Sequence, residues 1–408
     1  MSQNYNDKSN RDAIIFIPGL GGKQSTDTIA MRIASGLDLS AKTAKSEFKL
    51  KAGYDEDYDT KGDKALNTRV RTIVWEKEKE SKEVADLYQF HYFDSLTKKY
   101  SGSNDFAKAV RLFFVLLVNF PSFIAAIFRK SEKTIPEKLQ FLFGIGLLGL
   151  FTAYFVVLVV AIYHIIVQVP QVQSLLKLES ATSSTSFIAQ IIIVVIAVIE
   201  AFKPSFKQSF SLAAQQYLSV VEYLSVGSRG PVLSGQFEHL LDHVQAKGYR
   251  RVIVVGYSFG SIFALDNFFP REREPATRIQ QVDTLVTIGS PFEIIRVFWP
   301  KYFEKRGVDA NVPKRWINVF SPDDIMGSNI TKKVAIKDYK DETAGFPPEE
   351  DNILYKVGPS QKKTSLLGAL GLVGLQEHAI YWEEEFEFGH SAFDEVVKKL
   401  YQETDILA

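Results

Sequence analysis

The sequence predicts an α/β protein: a mainly parallel sheet with helices on both faces, interrupted by an all-helical apolar insertion. Three observations carry that expectation. Short apolar runs rich in β-branched residues, among them Ala13 to Ile17, Arg251 to Val255 and Thr284 to Ile288, each end in a Gly, Pro or Ser turn, as strands buried on both faces do. Helix-compatible stretches such as Phe237 to Val244 and Ser261 to Phe269 alternate with them, and alternation of that kind builds parallel sheets. Between Lys138 and Lys177, by contrast, there is no Asp, Glu, Lys or Arg, and a soluble core helix rarely runs so long without a polar face.

Bulk composition narrows the function classes. The 408 residues, 46% of them hydrophobic, are enough for more than one sizeable core. Formal charge is zero, from 48 basic and 48 acidic residues, so no global field draws the chain to nucleic acid, and no nucleic-acid partner is expected. With no cysteine, disulfides, thiolate catalysis and cysteine metal sites are excluded. The polar start, MSQNYNDKSNRD, lacks an apolar core, so no cleavable secretory signal is expected there.

The strands divide around the insertion. Thr68 to Trp75 and Ala85 to Tyr92 precede it; Thr284 to Ile288 and Trp316 to Phe320 follow it. The expected organisation is therefore 1–104, the first part of the α/β domain; 105–204, the insertion; and 205–408, the second part. Spanning a bilayer takes about 20 apolar residues, and three segments of the insertion approach that length. If both flanking parts build one sheet, they lie on the same side of the membrane, so the number of crossings is even. Pairing 139–168 with 184–202 keeps Arg129, Lys130, Lys133 and Lys138 beside the α/β domain and leaves only Lys177 in the outer loop, in line with the positive-inside tendency. The expectation is an integral membrane protein with its α/β domain on the cytoplasmic side. The segment 109–128, kinked by Pro121 and flanked by Arg111, Arg129 and Lys130, is then an interfacial helix.

The most informative local feature is RVIVVGYSFGS, Arg251 to Ser261. A G-x-S-x-G turn between a buried strand and a helix places its serine in a strained backbone conformation, with small flanking residues so that strand and helix approach closely. Ser258 then projects its hydroxyl at the strand end. A serine hydroxyl attacks only when a base takes its proton and nearby amides hold the resulting oxyanion. The amide of Phe259, at the start of the new helix, is one candidate donor. The other is the amide of Leu20, in the turn PGLGG that follows the strand Ala13 to Ile17; the alternative for that turn is an ordinary strand-to-helix connection.

With these turns goes an IGSP turn after Ile288, an acidic turn SPDDIMGS after Phe320, and a late histidine. Together they resemble the α/β-hydrolase fold in its lipase and esterase branch, over Ala13 to Tyr92 and from Leu218 onward. Two departures stand out: Pro18 and Tyr257 occupy positions where many such lipases carry histidine. The resemblance implies a triad in the chain order Ser, acid, His. For the acid it implies Asp324, three positions after Ser321, with Asp323 as the alternative. For the base, His378 in LQEHAIYW resembles the late H-x-x-Y-W turn of some bacterial lipase-like hydrolases, and His390 in FGHSAF is the alternative.

His239, Asp242 and His243 spell HLLDH, near a zinc-hydrolase pattern, but aspartate replaces the required glutamate and the flanking apolar stripe reads as packing. No metal and no cofactor are expected. The functional expectation is a membrane-anchored serine hydrolase that cleaves carboxylic esters of lipids through an acyl-enzyme. Its partners would be the bilayer, a lipid or acyl-ester substrate and a second copy through the apolar hairpin. The alternatives are a thioesterase acting on acylated proteins, or a hydrolase-like scaffold that oligomerises in membranes without catalysis.

Overall fold

The computed structural model describes residues 8–20, 31–34, 47–59, 66–77, 80–92, 204–225, 229–299, 312–321 and 392–401, with further residues scattered through 95–121, 301–306, 324–330, 351–355 and at 381. The chain forms two compact units: one of Met1–Ser95, Glu132–Gln140 and Gly227–Ala408, the other of Leu96–Ser131 and Phe141–Val226.

The first unit is a mixed α/β structure with a mostly parallel central sheet. Its described strands are β1 (Asp12–Ile17), β2 (Glu47–Leu50), β3 (Tyr54–Asp59), β4 (Leu66–Lys77), β5 (Glu80–Gln89), β6 (Arg251–Tyr257), β7 (Thr284–Ile288), β8 (Arg315–Phe320) and β9 (Asn352–Leu354). They lie in the order β2-β4-β5-β1-β6-β7-β8-β9, with β3 beside β2 on the same edge of β4. From β5 to β9 every neighbouring pair is parallel. This is the part whose strands are continuous apolar runs: β1 and β7 are buried at every residue, since strands inside such a sheet have no solvent face.

The other end is antiparallel, within a sheet that is mainly parallel as the sequence predicts. β4 and β5 pair down to Lys77↔Glu80, a hairpin closed by two residues. β2 and β3 lie end to end along the outer edge of β4. The sequence of β3, YDEDYD, has no apolar alternation; carboxylates along an edge strand discourage pairing with another chain.

A core cluster gathers alternate residues of the central strands, Ile14 and Phe16, Ile253 and Val255, Val286 and Ile288, Ile317 and Val319. Val396, Val397 and Leu400 close over it from the amphipathic last helix, Ala392–Tyr401. A separate aromatic cluster joins Phe90 to Phe237 and Phe263, with ring centroids 5.2 and 5.3 Å away. These two rings come from the helices before and after β6, Arg229–Gln245 and Phe259–Phe268.

In the second unit the longest described helix is Pro204–Ser225. Described helical residues also occur between 107 and 121, where Leu112 is buried and Phe114 and Val118, one turn apart, are exposed. Among the described residues no helix is long and apolar enough to cross a membrane. The two predicted spans, 139–168 and 184–202, lie outside the described residues.

In chain order the described helices are α1 (Pro204–Ser225), α2 (Arg229–Gln245), α3 (Phe259–Phe268), α4 (Thr277–Gln280), α5 (Phe292–Phe298) and α6 (Ala392–Tyr401).

Candidate active site

Strand β6 is paired on both sides, with β1 and β7, so its carboxyl end is held at the middle of the parallel part of the sheet. Ser258 follows at once with φ 52° and ψ −127°, a backbone conformation that costs a residue with a β-carbon about 1–3 kcal/mol. The surroundings over-determine it. The Ser258 N–H donates to Ile288 O of β7 at 2.8 Å, and the Ser258 carbonyl accepts from the Ser261 N–H at 3.0 Å and the Ser261 hydroxyl at 2.5 Å.

The flanking glycines are there for clearance. A β-carbon on Gly260 would lie against Ile17 O and 2.5 Å from Pro18 O, and one on Gly256 would lie 2.7 Å from Ser261 Cα. Helix α3 can therefore start directly over the ends of β1 and β6 only with glycine at both positions. Phe259 opens that helix, at the positive end of its dipole.

The turn after β1 meets the serine from the other side. A β-carbon on Gly19 would lie 2.8 Å from Ser258 Cβ and 3.3 Å from Ser258 Oγ. The loop is pinned by the buried Tyr92, whose hydroxyl donates to Pro18 O at 2.7 Å. Leu20, half-buried, is the next residue after Gly19. Sequence reasoning placed Leu20 and Phe259 in two turns distant in the chain; the structure brings both turns to Ser258. Ser258 itself is 7% exposed.

The acidic turn follows β8, one strand beyond β7. Tyr257, Ile288 and Val319 form one register row across β6, β7 and β8, so these strand ends lie about 10 Å apart at the usual strand spacing. Asp324 is 1% exposed. Its Oδ1 accepts from the Met326 N–H at 2.8 Å, and its Oδ2 accepts from the Tyr381 hydroxyl, also at 2.8 Å. The turn is tied to the sheet through Asn318 of β8. Its amide donates to Ser328 O at 3.1 Å, and its oxygen accepts from the Thr287 hydroxyl of β7 at 2.8 Å. The Trp316 indole N–H donates to that same Thr287 hydroxyl at 3.0 Å.

Asp323, His378 and His390 lie outside the described residues. Each histidine is followed closely in the chain by an anchored residue. Tyr381, bonded to Asp324, is three residues after His378, a span of at most about 11 Å of chain. Helix α6 begins at Ala392, two residues after His390, and ends at the starts of β6 and β8, where Arg251 and Arg315 donate to Leu400 O and Lys399 O.

Sequence reasoning missed Tyr381. The signal was present in the His-x-x-Tyr spacing at 378–381, but nothing in the sequence says that the phenol reaches the acid. Two of the HLLDH residues sit in ordinary pairs: Asp242 with Arg278, and His243 with Glu56, whose Oε1 is 3.3 Å from His243 Nε2.

In comparisons with known proteins, no family matches the chain, and neither does any curated protein or solved structure.

Proposed function

We propose that the protein is a serine hydrolase of the α/β-hydrolase type, held in a membrane by its apolar insertion, that cleaves carboxylic esters of lipids through an acyl-enzyme. The observation that carries this reading is Ser258 at φ 52° on the turn between β6 and α3, its Oγ facing the glycine turn after β1. Strain at a serine, rather than at glycine, has no packing purpose here and aims a hydroxyl at the strand ends. The carboxyl ends of parallel strands are also where ligands of such sheets bind.

In this mechanism the Ser258 hydroxyl attacks the ester carbonyl and a histidine takes its proton. His378 fills that role, supported by its neighbour Tyr381 at the acid. The same imidazole returns the proton to the leaving alcohol, and water then repeats the sequence on the acyl-enzyme. Asp324 orients the imidazole and balances its charge. The amides of Leu20 and Phe259 hold the oxyanion. A lipid ester is the substrate class because the apolar segments 139–168 and 184–202 would hold the site at a bilayer, where an ester need not be drawn fully into water.

The test is covalent labelling of the full chain in native membranes with a fluorophosphonate, followed by lipid analysis of cells carrying wild type or Ser258→Ala. Labelling that vanishes in Ser258→Ala, together with one lipid ester class that accumulates in the variant, is the expected result. Wild-type protein that takes up no probe, or labelling that persists in Ser258→Ala, overturns the proposal.

A further inference from the structure

Tyr381 is a bridge within the acid turn. Its hydroxyl accepts the Ser321 N–H at 2.9 Å and donates to Asp324 Oδ2 at 2.8 Å. A hydroxyl that accepts from an amide is polarised toward donating, so the two bonds strengthen one another. The ring has no freedom to leave. It is 1% exposed, with the rings of Tyr257 and Tyr355 at 6.4 and 6.1 Å. Room for the pair depends on Gly327, where a β-carbon would come within 2.7 Å of both Asp324 Oδ2 and the Tyr381 hydroxyl. Burial, reinforced by the charge of Asp324, pushes the Tyr381 phenol well above its ordinary pKa, so it stays a neutral donor.

A phenol is an unusual investment if the carboxylate has only to cap a turn, because Met326 already supplies a backbone donor to it. A carboxylate has four acceptor sites, enough in principle for a turn amide, a phenol and an imidazole N–H together. The same phenol ring stands against Tyr257, the residue before Ser258. One side chain thus spans from the acid to the nucleophile's strand.

We propose that Tyr381 is a positioning residue that acts through Asp324, fixing the carboxylate's orientation and drawing off part of its charge, and so setting how tightly the imidazolium of the base is held. This rests on the serine-hydrolase reading above for the role of Asp324. Without the phenol's hydrogen bond, more of the carboxylate's charge falls on the imidazole, and the base stays protonated to higher pH.

Tyr381→Phe removes the hydroxyl and keeps the ring. With the full chain in its membrane, the rate of fluorophosphonate labelling is measured against pH. The acid limb of the variant's profile moves to higher pH, and the rate at neutral pH drops by about tenfold, the scale of one charge-assisted hydrogen bond. Gly327→Ala, whose β-carbon crowds the two oxygens while both side chains are retained, shifts the limb in the same direction. An unshifted limb in both variants, even alongside a lower melting temperature, overturns the proposal and leaves Tyr381 a packing residue. If the wild type takes up no probe, the hydrolase reading fails on its own. The six histidines, labelled with nitrogen-15 and titrated by NMR, then decide the role of Tyr381. A midpoint that moves in both Tyr381→Phe and Asp324→Asn sustains it, and six unmoved midpoints reject it.

Discussion

Ser258 holds a strained backbone conformation that the proposed function would use to aim its hydroxyl. Its φ of 52° is tolerated because β7 and Ser261 hold its backbone atoms from both sides, not because serine favours it. Glycine would adopt the same conformation without a β-carbon penalty, relieving about 1–3 kcal/mol of strain. Against that gain stands the extra chain entropy of glycine in the unfolded state, about 0.5–1 kcal/mol. The balance favours the folded protein. We therefore expect Ser258→Gly to be more stable than wild type by about 1 kcal/mol while losing all fluorophosphonate labelling. Ser258→Ala keeps the β-carbon and the strain, so it should lose labelling without that gain. Urea unfolding of the three proteins side by side checks this: a Ser258→Gly midpoint at or below that of Ser258→Ala means that the turn is not strained. At this scale the sequence was legible, since G-x-S-x-G after β-branched residues prescribes both the conformation and the clearances found at Gly256 and Gly260.

At the scale of elements, legibility followed burial. The strands β1, β6, β7 and β8 were readable because each is a buried apolar run ended by a turn, whereas β3 carries only Tyr and Asp or Glu and β9 has three residues. Beyond its ladder with β4, β3 is held by charge pairs. Glu56 of β3 pairs with Lys247, just past the end of α2, and with His243 on α2. Such a pair joins residues 191 apart in the chain and leaves no trace in local pattern. The Asp324–Tyr381 bond, 57 residues apart, was hidden for the same reason. Burial opposes ionisation of Glu56, but the hydrogen bond from Lys247 and the close contact with His243 outweigh it and take the carboxyl down to about 2 from an ordinary 4.5. Because the folded value is depressed, the group stabilises the fold fully above pH 4.5, and that contribution is lost as pH falls towards 2. Glu56→Gln should therefore be less stable at neutral pH and show a flatter decline than wild type across that acid window. Denaturant midpoints measured at several pH values give the comparison, and equal acid slopes for the two proteins would refute the pairing of β3 with α2.

The whole molecule is where sequence and structure speak about different residues. The sheet lies in the unit built from the two ends of the chain, while the apolar segments 139–168 and 184–202 lie outside the described residues, so the membrane reading rests on sequence alone. Two strand-bearing parts that share one sheet must lie on one side of any bilayer between them. That sharing is a feature of the structure: β1, from the first part, pairs in register with β6, from the second, along six residues. An even number of crossings follows if the insertion spans a membrane, and the positive-inside tendency then makes the loop between the two segments the expected outer one. The chain has no cysteine, so a single introduced cysteine reports its own position against no background. In intact cells an impermeant maleimide should modify Lys177→Cys, in the short loop between the two segments, and leave Lys133→Cys untouched until the membrane is opened. Gly102→Cys, in the described turn before the insertion, should behave like Lys133→Cys. Two reversed patterns are informative. If Lys133→Cys and Lys177→Cys both react in intact cells, segment 139–168 does not cross; if Lys133→Cys reacts and Gly102→Cys does not, segment 109–128 crosses in its place, and the basic loop 129–138 is the one exposed outside.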